Sequence, residues 1–266
     1  MFYDQMIDFQ NCTPGNVGIL KLSYNATFDK LHFKLGGGLT LAHLGKIEGK
    51  ANGVTFYEDD AALIVKRDAY QGVFTQADTL TVDFTEPNTK GGAAQQYLAA
   101  LPRNLLQSLT FEVTIAAAAP VGMTLKCEGE YRDPTANPFI LRRKKFSIPL
   151  SVSGDNDYSL PSGDTVGGLI KRVWIHHAGT VVAAELRTNG TPRIRASVAS
   201  MEYKQKRNRV VPQANMLVLD FIDDGNLMGM LNTTTVKETL LRLNTSAGGG
   251  QATVFVDYVA DLRRLN

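Results

Sequence analysis

The sequence predicts an all-β protein made of two tandem antiparallel sandwiches or jelly rolls, with short helices confined to the loops. Three observations carry this. Apolar residues alternate with period two in many short segments bounded by Gly, Pro, Asn and Asp, the pattern of half-buried strands. Helical periodicity appears only twice in each half, too seldom for a doubly wound parallel sheet, which alternates strands with helices of about 10 to 15 residues. Finally, the chain repeats itself. Glu48, Lys50, Asn52 and Gly53 match Glu185, Arg187, Asn189 and Gly190, while Leu80-Thr81-Val82-Asp83-Phe84 matches Leu217-Val218-Leu219-Asp220-Phe221. Both 189 − 52 and 220 − 83 give 137, so Asn52, Gly53, Asp83, Asn189, Gly190 and Asp220 mark an internal duplication.

The elements follow in one order in each half. An N-terminal arm, residues 1–16, precedes a first barrel over 17–138; a connecting segment, 139–154, leads to a second barrel over 155–266. Alternating strands run from Val17 to Tyr24 and Phe28 to Leu35, and from Ile170 to His176 in the second half. Asn-Gly then marks a hairpin, because both central residues of a type I′ turn need positive φ. A helix follows, with Asp59 and Asp60 at its start, Lys66 and Arg67 near its end and Gly72 beyond it; Thr191-Pro192 is read as the N-cap and N1 of its counterpart. After the Asp-Phe strand come a helix from about 93 to 101 and a shorter one near 226 to 231. Strands at Leu109 to Ile115 and Ala252 to Val259 close the halves. Pro134, Pro138, Pro149 and Pro161 mark the stretch between as connecting structure.

Of 266 residues, 44% are hydrophobic and 20% charged, enough for one large core or two modest ones. The formal net charge of +2 provides no global field to gather nucleic acid, so no direct sequence-specific nucleic-acid binding is expected. Cys12 and Cys127 cannot form a disulfide framework, which fits synthesis in a reducing compartment. The start carries Asp4 and Asp8 where a signal peptide has a basic head, and export is not expected. The longest weakly polar stretch, Val113 to Leu125, is interrupted by Thr114, Pro120, Gly122 and Thr124, so no helical membrane span is predicted.

Catalytic and metal chemistry find little support, and the expectation is a protein that is not an enzyme, with no catalytic or metal residues. His32, His43, His176 and His177 lack the H-x-H spacing that places two imidazoles on one strand face, and neighbouring His176 and His177 point to opposite faces. Asp83 and Asp220 are each followed by Phe, not by the Thr/Ser-Gly of aspartic proteases; solvent-facing or hairpin-anchoring carboxylates are expected. The glycine clusters at 36–38, 91–92 and 248–250 fit neither phosphate-binding pattern, and Trp174 reads as core. Two basic features remain: Arg142-Arg143-Lys144-Lys145, and the group Arg193, Arg195, Lys204, Lys206, Arg207 and Arg209 against only Glu202. Each is either a solvated face or a contact with phosphate-rich surface.

The duplicated Glu-x-Lys/Arg-x-Asn-Gly hairpins, the Asp-Phe strands, the run Asn137 to Arg143 and the segment Leu169 to His176 resemble the double jelly-roll major capsid proteins of tailless membrane-containing icosahedral phages, the corticovirus type above all. The resemblance covers roughly residues 17 to 259. It implies two tandem eight-stranded jelly rolls, a virion capsid protein made in the host cytoplasm, and pseudo-hexagonal homotrimers tiling a shell around an internal lipid membrane. It further implies as partners the chain itself, neighbouring capsomers, penton or minor capsid proteins and the inner membrane. It implies no cofactor beyond the calcium that some members hold between subunits, for which no ligands are identified here. Arg142, Arg143, Lys144, Lys145, Phe2 and Tyr3 are the candidate membrane-facing residues. The competing reading is a two-barrel carbohydrate-binding or glycan-hydrolysing protein; the single Trp and the expected absence of export argue against it.

Overall fold

The computed structural model describes residues 1–163 and 168–264, and the chain divides into two compact units. The first is Met1–Leu141 with the C-terminal residues from Asp261, the second Arg142–Ala260. The barrel expected over 155–266 thus includes a few residues, 164–167 and 265–266, that lie outside the described ones.

In the first unit the strands are β1 (Phe2–Gln5), β2 (Val17–Lys21), β3 (Thr27–Gly36), β4 (Leu44–Ala51), β5 (Val54–Asp60), β6 (Thr79–Asp83), β7 (Leu101–Pro102), β8 (Leu109–Ile115) and β9 (Thr124–Arg132), with helices α1 (Ala61–Gln71) and α2 (Ala93–Gln96). The second contains β10 (Phe139–Pro149, which begins before the boundary), β11 (Gly154–Leu160), β12 (Leu169–His176), β13 (Val181–Thr188), β14 (Thr191–Ser197), α3 (Val198–Arg207), β15 (Met216–Asp220), β16 (Leu231–Asn232), β17 (Thr239–Thr245) and β18 (Gln251–Asp261, whose last residue lies past the boundary).

Strand order makes the duplication concrete. The first unit has β1-β9-β3-β6, with β7 also on β3, and β5-β4-β8-β2; the second has β10-β18-β12-β15, with β16 also on β12, and β14-β13-β17-β11. Adding nine to each strand number turns one unit into the other. Each is an eight-stranded antiparallel jelly roll with one extra two-residue strand.

The cores follow from alternation. Leu109, Phe111, Val113 and Ile115 of β8 are buried while the residues between them are not, and β17 repeats the pattern with Thr239, Leu241, Leu243 and Thr245. The first core is aromatic: Phe33, Phe56 and Phe84 lie 6.1–6.3 Å from the Phe111 ring, within the range of favourable aromatic pairing. The second is aliphatic, built from Ile170, Val173, Ile175, Leu186, Leu219, Leu241 and Val256.

Five expectations need correction. Residues 139–154 are not a connecting segment: β10 occupies most of it, because the prolines sit at strand ends while Ile140, Leu141, Arg143 and Ile148 are buried. The arm, 1–16, is tied down, as β1 pairs with β9 and Met6 and Phe9 enter the core. Thr191-Pro192 opens a strand rather than a helix; α3 starts after Ser197, whose side chain accepts a hydrogen bond from the Ser200 N–H. The α1 reading fits, with Gly72 at φ 70° as its left-handed cap. The helix expected to 101 is only Ala93–Gln96, and that near 226–231 is one 3-10 turn at Leu227–Gly229.

Candidate functional site

The duplicated residues are structural clamps. Asn52, at φ 51°, accepts hydrogen bonds on Oδ1 from the Gln107 and Ser108 N–H groups, while its own N–H donates to the Ser108 carbonyl. Asn189, at φ 47°, does the same with Lys237 and Glu238. Asparagine suits both needs, because it tolerates the left-handed region and its amide oxygen can hold a neighbouring loop. Each Asn-Gly turn therefore fastens its hairpin to the loop that enters β8 or β17.

Asp83 and Asp220 end equivalent strands, β6 and β15. Oδ1 of Asp83 accepts from the Thr85 N–H and hydroxyl at 2.7 Å each, and Oδ1 of Asp220 accepts from the Ile222 N–H at 3.0 Å. Both anchor a turn. They differ in charge balance: burial pushes the Asp83 carboxyl up, whereas Asp220 is buried against Arg172, with Nε 2.8 Å from Oδ2. The solvent-facing reading thus fails for Asp220, and the anchoring one describes both.

The basic run lies on β10, and alternation divides it. Arg143 is buried and donates to Asp257 through two nitrogens at 2.6 and 2.9 Å, while Trp174 Nε1 donates to the same carboxylate at 2.7 Å. Burial alone would raise the Asp257 carboxyl; the Arg143 charge and its hydrogen bonds, together with Lys171 and Trp174, hold it well below the usual carboxylate range. Arg143 is therefore an internal counter-ion and not a membrane-facing charge. Arg142, Lys144 and Lys145 are half-buried, Lys145 Nζ lying 5.9 Å from the centroid of Phe255.

Phe2 and Tyr3 are exposed but engaged. Phe2 stacks on Tyr131 at 5.5 Å, and the Tyr3 hydroxyl donates to Glu128, which pushes its pKa up to about 12. On the same face His32 lies between Thr81 and Glu130, at 2.9 and 3.1 Å, and Lys30 bonds Glu130 at 3.1 Å. The group around α3 is exposed at Arg193, Arg195, Lys204, Lys206, Arg207 and Arg209, with Lys204 paired to Asp223 at 3.0 Å and Lys206 to Glu202 at 3.4 Å. His176 packs edge-on against Phe255, and His177 Nδ1 accepts from the Gly179 N–H. Among the described residues no three His, Cys, Asp or Glu side chains gather as a metal site, and no helix is long and apolar enough to cross a membrane.

The interior ion pairs were not legible in the sequence. Asp257 with Arg143, Asp220 with Arg172, Asp59 with Arg67 and Asp29 with Arg132 each join residues on different elements, so no local spacing announces them. The one usable signal was the strand pattern itself, in which a charge at a period-2 core position demands a partner.

Models of the viral coat protein P2 N-terminal and C-terminal domains match residues 3–132 and 140–262. The chain belongs to this coat-protein family. No curated protein sequence matches it. The major capsid protein P2 from bacteriophage PM2 is similar in structure, with a TM-score of 0.88, 19% identity and 97% of each chain covered. Sulfolobus turreted icosahedral virus contains a chain with a TM-score of 0.69 at 14% identity, covering 97% of this chain and 89% of that one. The PBCV-1 virus capsid matches at 0.65 and 11%, covering 98% and 94%. The fold is the double jelly roll, and as a coat-protein family member the chain is a structural protein of the virion capsid.

Proposed function

We propose that this coat protein assembles as homotrimers of pseudo-hexagonal outline that tile an icosahedral shell around an internal lipid membrane, without enzymatic activity. The observation that carries the reading is the strand-for-strand duplication. Three copies of a chain with two barrels of one plan supply six similar barrels, and head-to-tail contacts among them close into a ring. Other copies, penton or minor capsid proteins and the inner membrane are the proposed partners, and synthesis in the host cytoplasm fits two free cysteines. A calcium ion shared between copies is part of the proposal, with no ligands assigned.

Native mass spectrometry of assembled material is expected to release three-chain species, and a chain that stays monomeric at high concentration refutes the reading. For the lipid contact, the burial of Arg143 leaves Arg142, Lys144 and Lys145 as the basic candidates. Their combined replacement by Ser is expected to lower co-sedimentation with anionic vesicles at low salt, each charge near such a surface contributing about 1 kcal/mol. Unchanged binding removes this face from the membrane assignment.

A further inference from the structure

Of the strands that end the sheets, β1 in the first unit and β14 in the second are the two most exposed. All four residues of β1 are exposed, as are five of the seven in β14. Their counterparts in the duplication are not. β10, which corresponds to β1, buries Ile140, Leu141, Arg143 and Ile148; β5, which corresponds to β14, buries Phe56, Tyr57 and Asp59. The shared plan thus buries each of these two strand positions once per chain and leaves each exposed once.

The exposed pair is complementary in charge. β1 carries Asp4, with exposed Asp8 four residues on, whereas β14 carries exposed Arg193 and Arg195. Asp4 Oδ1 accepts a local bond from the Gln5 N–H, and Arg193 Nε donates to Thr188 Oγ1 within its own hairpin, so both charged groups stay on their own strands. An uncovered strand edge is a template for another strand, and Pro192 with the two arginines is the kind of device that discourages indiscriminate pairing. An acidic edge answers those arginines, so the same residues that repel a wrong strand select the right one.

From this we infer that β1 of one copy lies along β14 of the next copy, a head-to-tail β-augmentation that continues each sheet across the subunit boundary. The inference rests on the self-assembly reading above and names the surfaces through which it occurs. Because donor and acceptor edges differ, the contact is heterologous and propagates around a ring.

Engineered disulfides test it. In a Cys12→Ser background, Asp4→Cys is combined in turn with Arg193→Cys, Arg195→Cys and Ser197→Cys, because a disulfide needs Cα atoms about 4.4–6.8 Å apart and the register is to be found. Assembled protein is oxidised with oxidised glutathione and run on non-reducing gels, with isotope-labelled and unlabelled copies mixed so that mass spectrometry identifies bonds between chains. At least one pair is expected to give covalent dimers and trimers. Shells that form normally while all three pairs stay uncrosslinked overturn the edge contact and leave the capsid reading intact; an unmodified chain that never assembles overturns both. In parallel, Asp4→Arg and Arg195→Asp are each expected to raise the concentration needed for assembly about tenfold, and the double reversal to restore it. Equal assembly by all three also refutes the contact.

Discussion

Arg143→Met removes one member of a buried ion pair while preserving most of the side-chain volume. It leaves Asp257, which is buried, with the Trp174 N–H and the charge of Lys171. Breaking a buried pair on one side costs about 3–5 kcal/mol, and the two remaining stabilising groups place this variant near about 3 kcal/mol at pH 7. The sign of the pH dependence is fixed. In the native chain the Asp257 carboxyl is depressed, so it contributes stability above the unfolded carboxylate value of about 3.9, lost as pH falls toward the folded one. Without Arg143, burial dominates and the carboxyl rises, so the penalty is largest near neutrality and shrinks as acid protonates Asp257. The chain has a single Trp, and it sits in this site, so urea unfolding followed by Trp174 fluorescence reads the second unit directly. Adding Asp257→Asn, which still accepts from Trp174, is expected to recover most of the loss. A loss below about 1 kcal/mol at pH 7, or one equally large at pH 3, refutes the argument.

Three further outcomes follow from the duplication and the assembly reading. Asn52→Ala and Asn189→Ala each remove a side-chain acceptor of two N–H bonds and force alanine to positive φ, so matching losses of about 1–3 kcal/mol in urea titrations are expected; strongly unequal losses contradict equivalence of the turns. Asp220→Asn weakens the bond to buried Arg172 and is expected to destabilise by about 2 kcal/mol or more, whereas Asp83→Asn keeps the Thr85 bonds, sheds a carboxylate that burial disfavours, and is expected to be neutral or stabilising at pH 7. Chelation with EDTA is expected to lower the melting temperature of assembled shells and not that of the isolated chain; no difference removes the shared calcium.

What the sequence disclosed was set by how local each signal is. β8 was readable to the residue because Leu109 to Ile115 alternates without interruption, and α1 because Gly72 supplies its left-handed cap. The hairpin clamps were visible as Asn-Gly pairs, although the loops they hold lie about fifty residues away. β10 was misread because four prolines dominated its surroundings, and because the charges of Arg142 to Lys145 suggest solvent when one of them is neutralised by an aspartate more than a hundred residues away. β14 was misread because Ser/Thr-Pro is common at helix starts, while the alternation of Ile194 and Ala196, both packed on the core, was the better guide. β1 is four residues long, below any length at which period two is informative.

The Asn52 clamp has a practical consequence for carrying foreign peptides. By holding Gln107 and Ser108, it fixes the barrel end at which β8 begins, and an insertion into that turn would disturb two loops at once. β8 then runs seven residues, about 24 Å at strand rise, to the opposite end, where the loop before β9 presents Val121 at 95% exposure. The corresponding loop of the second barrel, 246–250, is likewise exposed. Each chain therefore offers two equivalent sites, far from the clamped turns, at which an epitope or affinity tag can be grafted.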